Sequence, residues 1–244
     1  MTDLDLLHLE GRTLFVLSAH GLILRENDPE QSPGPKFWLA GSAGGNVARL
    51  HHAVARDAAA QIEALVAAEP PFHEPGTVPR HITRYEELLA ANGVRPERSL
   101  DLVYDLPHRL DFPRGAPLVV SGTAAGARFV ADIERRGMPR SLIDLYMREV
   151  KDLWVPWVIL MQEGEVAAMA FAARLSAEGA ELGLVTVPEF RGRGFAGLVT
   201  AAWTNLPELG GRRLFYGADQ DNLASGRVIA RLGLRRIGVS VRLA

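Results

Sequence analysis

The densest chemical signal in the 244-residue chain lies between Leu182 and Gly197. A β-rich run, Leu182 to Val187, meets Pro188, and Arg191-Gly192-Arg193-Gly194-Phe195-Ala196-Gly197 then leads into a helical pattern. Phe195, Leu198, Val199, Ala202, Trp203 and Leu206 recur at the spacing of one buried helix face. The glycines therefore stand at a helix N-terminus. N–H groups there have no acceptor inside the helix, and the dipole end is positive. Glycine lets an anion approach that backbone closely, and Arg191 and Arg193 add full charges. The chemistry is that of a diphosphate cradle. A plain turn needing positive φ produces the same residues, so the flanking sequence has to decide.

The elements around this loop form two expected segments. Arg12–Leu17 and Leu22–Arg25 read as strands joined at Ala19-His20-Gly21, and Lys36–Ala40 reads as a third. Gly41 to Gly45 leads to Asn46 as an N-cap. Leu50, Val54, Ala58, Ile62 and Leu65 then mark a long amphipathic helix, stopped by Pro70-Pro71. His51 and His52 fall on that helix facing different ways, so they read as surface residues and no metal site is expected. A short helix over Thr83–Ala91 ends at Asn92-Gly93, and Leu100–Tyr104 is a strand. The stretch 107–117, rich in Pro, Arg and Gly, is the expected boundary between an accessory α+β domain, 1–112, and a second domain, 116–244.

Past the boundary come a strand at Leu118–Val120 and helices at Ala125–Arg136 and Pro139–Val150. A hairpin follows, Trp157–Met161 with Glu165–Ala173, and then the glycine-loop unit. The strand Arg213–Ala218, a helix capped at Asp221-Asn222 and closed by Gly233, and a last strand Arg235–Leu243 complete the order β-α-α-β-β-β-α-β-α-β. Hairpins beside a βαβ-like piece imply an α/β fold with a mixed sheet and helices on its faces.

Composition narrows the function. The net charge of -2 offers no positive field for nucleic acid or acidic membranes. With no cysteine, disulfides, thiolate metal sites and a cysteine nucleophile are excluded, which fits a cytoplasmic setting. No signal peptide and no membrane span is read.

The half from about Leu118 onward resembles the GNAT superfamily of acyl-CoA-dependent N-acyltransferases. The resemblance is carried by Arg191-Gly192-Arg193-Gly194-Phe195-Ala196, matching that family's (Gln/Arg)-x-x-Gly-x-(Gly/Ala) motif. Asn222-Leu223-Ala224-Ser225 and Leu232-Gly233-Leu234 match its second motif. It implies a GNAT-type mixed sheet whose central strand parts from its neighbour at a bulge. Pantetheine would pair with the backbone of Val185, Thr186 and Val187. The pyrophosphate would rest on Gly192 to Gly197, and Asn222 and Ser225 would contact coenzyme A. The Val187 N–H would polarise the thioester carbonyl as an oxyanion donor. Glu181, in a position where some members carry a catalytic Glu, is the expected base, its pKa raised between apolar neighbours. Many members protonate the leaving thiolate with a tyrosine. Here that slot holds Ile229, which leaves Tyr216 and Tyr146 as substitutes. The expected reaction moves an acetyl group from acetyl-CoA to a primary amine of a small molecule or peptide, with homodimerisation left open.

Two other readings compete. A protein that binds acyl-CoA without turning it over accommodates Ile229. The loop also spells Gly192-x-Gly194-x-x-Gly197, a dinucleotide-binding fingerprint, with Asp219 placed near the acidic residue expected for an NAD(P) ribose. Pro188-Glu189-Phe190-Arg191 separates strand from glycine, and too little chain follows for a doubly wound sheet. Both facts disfavour the dinucleotide. The N-terminal segment reads as substrate-binding, dimerising, or a decayed copy of the second fold.

Overall fold

The computed structural model describes residues 1–90 and 95–244; the expected helix stop at Asn92-Gly93 lies outside the described residues. The chain opens with a helix, α1 (Asp3–Leu14), where the sequence reading has none before Arg12. Thr2 and Asp5 form a capping box, with the Asp5 N–H donating to Thr2 Oγ1 at 3.2 Å and the Thr2 N–H to Asp5 Oδ2 at 2.8 Å. Leu6, Leu7, Leu9 and Leu14 are buried, each contributing about 1.5–3 kcal/mol. Strands β1 (Phe15–Leu17) and β2 (Ile23–Glu26) then pair as a small separate ribbon.

The segment after β3 (Phe37–Ser42) corrects the sequence reading. Gly45–Leu50 is a strand, β4, paired with β3 from Ser42↔Gly45 to Phe37↔Leu50. Asn46 is therefore no N-cap; its amide donates to the carbonyls of Glu69 and Pro70. His51 and His52 follow the strand, rings 4.5 Å apart, rather than sitting on a helix. Gly45, at φ +132°, lets the chain fold back where the helical spacing suggested a straight run. The glycine-loop-into-helix pattern that suggested an internal copy is thus a hairpin. Helix α2 starts only at Arg56 (Arg56–Ala67), followed by α3 (Ile82–Leu89).

Next come β5 (Arg98–Leu106), β6 (Leu118–Val120), α4 (Ala124–Arg136) and α5 (Arg140–Ile143). The helix expected over 139–150 stops after Ile143, and Tyr146 lies at φ +66°. The remaining elements follow the expected order: β7 (Trp157–Gln162), β8 (Glu165–Leu175), β9 (Gly179–Thr186), α6 (Phe195–Trp203), β10 (Arg213–Asp219), α7 (Leu223–Leu232) and β11 (Arg235–Leu243).

One nine-stranded sheet carries nearly all of this, in the order β4-β3-β11-β5-β10-β9-β8-β7-β6. Within this sheet, among the described residues, only β9 and β10 pair in parallel. A doubly wound dinucleotide fold needs a mainly parallel sheet, so the strand directions remove that reading. The sheet continues across the expected boundary, because β5 lies between β10 and β11. Side chains sort the helices onto two faces. Trp38, Val103, Phe215 and Ile237 pack under α1, while Ile159 and Met169 pack under α4 and α5. On the other side Val199, Trp203 and Ile229 of α6 and α7 cover Leu214 and Tyr216, and α2 and α3 cover Leu39, Val239 and Val241. No helix among the described residues is long and apolar enough to cross a membrane.

Candidate active site

The site forms where β9 and β10 separate. Their register runs Arg213↔Gly179, Leu214↔Ala180, Phe215↔Glu181 and then ends. Beyond it β9 stays on β8, with Thr186 opposite Ala168, while β10 stays on β5, with Asp219 opposite Asp101. A gap opens between two strands of an otherwise continuous sheet. Strand alternation decides which backbone groups face it. The Val187 N–H donates to the Ala167 carbonyl at 3.0 Å. Val187 and, two residues back, Val185 therefore point into the β8 ladder, and Leu184 and Thr186 point into the gap. This corrects the expectation for Val187 as oxyanion donor and for Val185 as a pantetheine partner. The Thr186 carbonyl accepts from Arg191 Nε at 3.3 Å.

The glycine loop stands at the end of β9. Gly192 and Gly194 take φ +77° and +81°, and Gly194 is the N-cap of α6. The Arg191 N–H donates to Pro188 and the Leu198 N–H to Gly194. Among the described residues the N–H groups from Gly192 to Gly197 meet no backbone acceptor. Phe195, Ala196 and Gly197 form the first turn of the helix, and Gly197 is buried. The Arg193 guanidinium lies 5.3 Å over the Phe190 ring. A third cation escaped the sequence reading: a Cβ on Gly194 would stand 2.6 Å from Arg231 Nη1. Arg231, on α7, thus brings its charge onto the loop backbone from 37 residues away. Unpaired N–H groups, close-approach glycines and arginines on two elements fit a diphosphate.

Asn222 and Ser225 lie at the start of α7, at the opposite end of that helix from Arg231. Asn222 Oδ1 accepts the Ser225 N–H at 3.1 Å, so its oxygen is committed to capping the helix. Burial holds the Tyr216 hydroxyl above its ordinary pKa. Tyr216 stands one residue past the last β9–β10 pair, on the face covered by α6 and α7. It therefore keeps its proton and can donate it. Ile229 is core, and Tyr146 projects into solvent at 84% exposure, far from such a role.

Glu181 is at the vertex of the gap, on the α1 face. A Cβ on Gly217 would stand 2.8 Å from its Oε1, so the bare glycine leaves room for the carboxylate. Its neighbours are not the apolar ones expected from Ala180 and Leu182. It shares a pocket with Glu10, Asp101 and Arg242. Burial raises its pKa first, and Asp101 and Glu26 push the same way against Arg242 and Arg174. Glu10, 2% exposed, is raised further by its own burial and by Glu181.

A carboxyl raised in the folded state contributes stability below its unfolded pKa and loses it as pH rises through the folded value. Glu10→Gln should therefore stabilise the protein at pH 8 by about 1–3 kcal/mol, or roughly 2–4 °C per kcal/mol in a chain of this size. At pH 4 the difference should vanish. Calorimetric melting at both pH values checks this; a variant less stable at pH 8 would show that Glu10 is not strained there.

Residues 124–235 match the family model described as an acetyltransferase (GNAT) domain. The C-terminal half of the chain therefore carries a GNAT acetyltransferase domain, with the mixed sheet and flanking helices expected of one. No curated protein matches the sequence. Several solved structures are similar in part. A GNAT-family acetyltransferase from Novosphingobium aromaticivorans aligns at 19% identity over 60% of this chain and 64% of its own, with a TM-score of 0.44. A GNAT-family acetyltransferase from Colwellia psychrerythraea aligns at 19% identity over 66% and 60%, with a TM-score of 0.40. A GCN5-related N-acetyltransferase-like protein from Streptococcus suis aligns at 15% identity over 89% and 86%, with a TM-score of 0.47. The chain spans less than two thirds of the first two structures, and the family assignment rests on the domain match alone.

Proposed function

We propose that the protein is an N-acetyltransferase moving the acetyl group of acetyl-CoA to a primary amine. The observation that carries this reading is the parting of β9 from β10 immediately past Glu181, with the α6 N-terminus and Arg191, Arg193 and Arg231 at one end of the gap. Bound there, acetyl-CoA supplies an activated thioester. The N–H groups of residues 192–197 and the arginines would hold its diphosphate. Leu184 and Thr186 would pair with the pantetheine amides as an added strand does, and an open-edge N–H would face the carbonyl oxygen where negative charge develops.

The amine nitrogen forms its bond to the acyl carbon as the C–S bond breaks. An alkylamine has a reference pKa of about 10.4 and arrives charged. Glu181 takes the proton that nitrogen must lose, and a carboxylate with a raised pKa is the better acceptor. The Tyr216 hydroxyl gives the departing sulfur its proton, replacing a tyrosine at Ile229, and recovers one from solvent.

Acetyl-CoA at a hundred times its Kd should stabilise the fold by about 2.7 kcal/mol, while NADH should leave the melting temperature unchanged. Release of free thiol from acetyl-CoA in the presence of an amine library then reports turnover. Stabilisation without thiol release from any amine would favour the acyl-CoA-binding, non-catalytic reading instead.

A further inference from the structure

A polar pocket of about 280 Å³ lies on the α1 face, against the vertex where β9 and β10 part. Glu10 of α1 and Asp101 of β5 line it together with Glu181, Gly217, Ser240 and Arg242, so both halves of the chain build it. Its charges do not cancel. Among the described residues Arg242 is the one cation of the lining, and its Nη1 is already held by Glu26 Oε1 at 3.1 Å. Arg174, next to it, pairs with Glu26 and Asp28. Asp219 stands opposite Asp101 in the strand register and adds to the excess of carboxylate.

Two buried atoms of the lining have no hydrogen-bond partner among the described residues: Glu10 Oε2 and Arg242 Nε. Native folds seldom leave such atoms bare. The contrast with Glu69 is instructive. That buried carboxylate accepts from the Tyr85 hydroxyl and from the N–H groups of Arg80 and His81, and serves only to hold the chain. Glu10 holds nothing through Oε2. It is a nearly unexposed acceptor in a cavity that reaches the acyl-transfer point.

We infer that this pocket is the acceptor site and that it takes a small aliphatic diamine, with one ammonium held by Glu10 and Asp101 and the other nitrogen turned to Glu181. This rests on the acyltransferase reading above. A monoamine must be neutral when it attacks, and would then leave Glu10 Oε2 without a partner and Asp101 with only the distant Arg242 Nε, 3.8 Å away. A diamine keeps one charge while the other nitrogen reacts. The volume is at the small end of ligand pockets, which begin near 300 Å³; it suits a short alkyl chain and not a peptide.

The probes are butylamine and diaminobutane, with thiol release from acetyl-CoA as the readout. In the intact protein kcat/KM should favour diaminobutane by about tenfold or more, the worth of a charge-assisted hydrogen bond. In Glu10→Gln that preference should fall to near parity through KM, with acetyl-CoA affinity unchanged, and Glu10→Asp should restore part of it. Diaminobutane alone should raise the melting temperature of the intact protein and not of Glu10→Gln. Equal use of the two amines, or a preference for peptides, overturns the inference and leaves the acyltransferase reading standing. Binding of diaminobutane through Glu10 without thiol release from any amine keeps the pocket and removes that reading. If Glu10→Gln fails to fold, Asp101→Asn reads the same preference.

Discussion

Glu181→Gln is expected to lower turnover by roughly 10²–10⁴-fold, the usual contribution of a placed general base, and to change the shape of the pH profile. The base works only when ionised, and burial holds its pKa above the ordinary carboxyl value of 4.5. The rate in the intact protein should therefore rise with pH in two limbs. The lower limb belongs to Glu181, and the upper one to the amine itself, near 10.4 for an alkylamine. The variant should lose the lower limb and keep the upper. Acetyl-CoA affinity should not move, because Glu181 faces α1 while the loop and its arginines gather at α6 and α7. Profiles of kcat/KM at saturating acetyl-CoA decide it: an unaltered lower limb in Glu181→Gln takes this residue out of the mechanism.

Gly194→Leu is expected to cost coenzyme A about 100-fold in affinity. Three effects act together at this residue. A side chain at φ +81° costs roughly 1–2 kcal/mol. Its Cβ would press within 2.6 Å of Arg231 Nη1 and drive that guanidinium off the loop, and a lost charged hydrogen bond is worth about 1.5–3 kcal/mol. The branched chain would also cover the amides that should meet the diphosphate. The damage to the fold should stay near the backbone strain alone, since the core under α6 is built from Val199, Trp203 and their neighbours. Titration calorimetry with coenzyme A and a melting curve separate the two effects. Undiminished affinity would place the diphosphate elsewhere.

Much of the second half is legible in the sequence, because its signals are local. The apolar stripe from Phe195 to Trp203, the hairpin at Glu163-Gly164 and the Asn222 cap each involve residues a few positions apart. The first half misled because Leu50, Val54, Ala58, Ile62 and Leu65 keep a helical spacing across a strand, a turn and a helix. Of α2 itself only Ile62 is buried. Helix α1 is legible in Thr2-x-x-Asp5 and the leucines that follow, a capping box before an apolar run. The helix expected at 139–150 failed where Tyr146 takes a positive φ.

Taken alone, the sequence determined the glycine loop, the helix behind it, the strand that feeds it and the family these resemble, since short-range periodicity and turn chemistry specify such pieces. Tertiary structure decided how the pieces meet. The direction of the Val187 N–H depends on which strand takes it, and Ala167 does. Arg231 reaches Gly194 only because α7 packs beside α6. Glu10 and Glu181 stand 171 residues apart in sequence and share one pocket because α1 lies across the sheet where β9 and β10 part. Burial, charge repulsion and the pKa values that follow from them are properties of that meeting, and no local pattern encodes them.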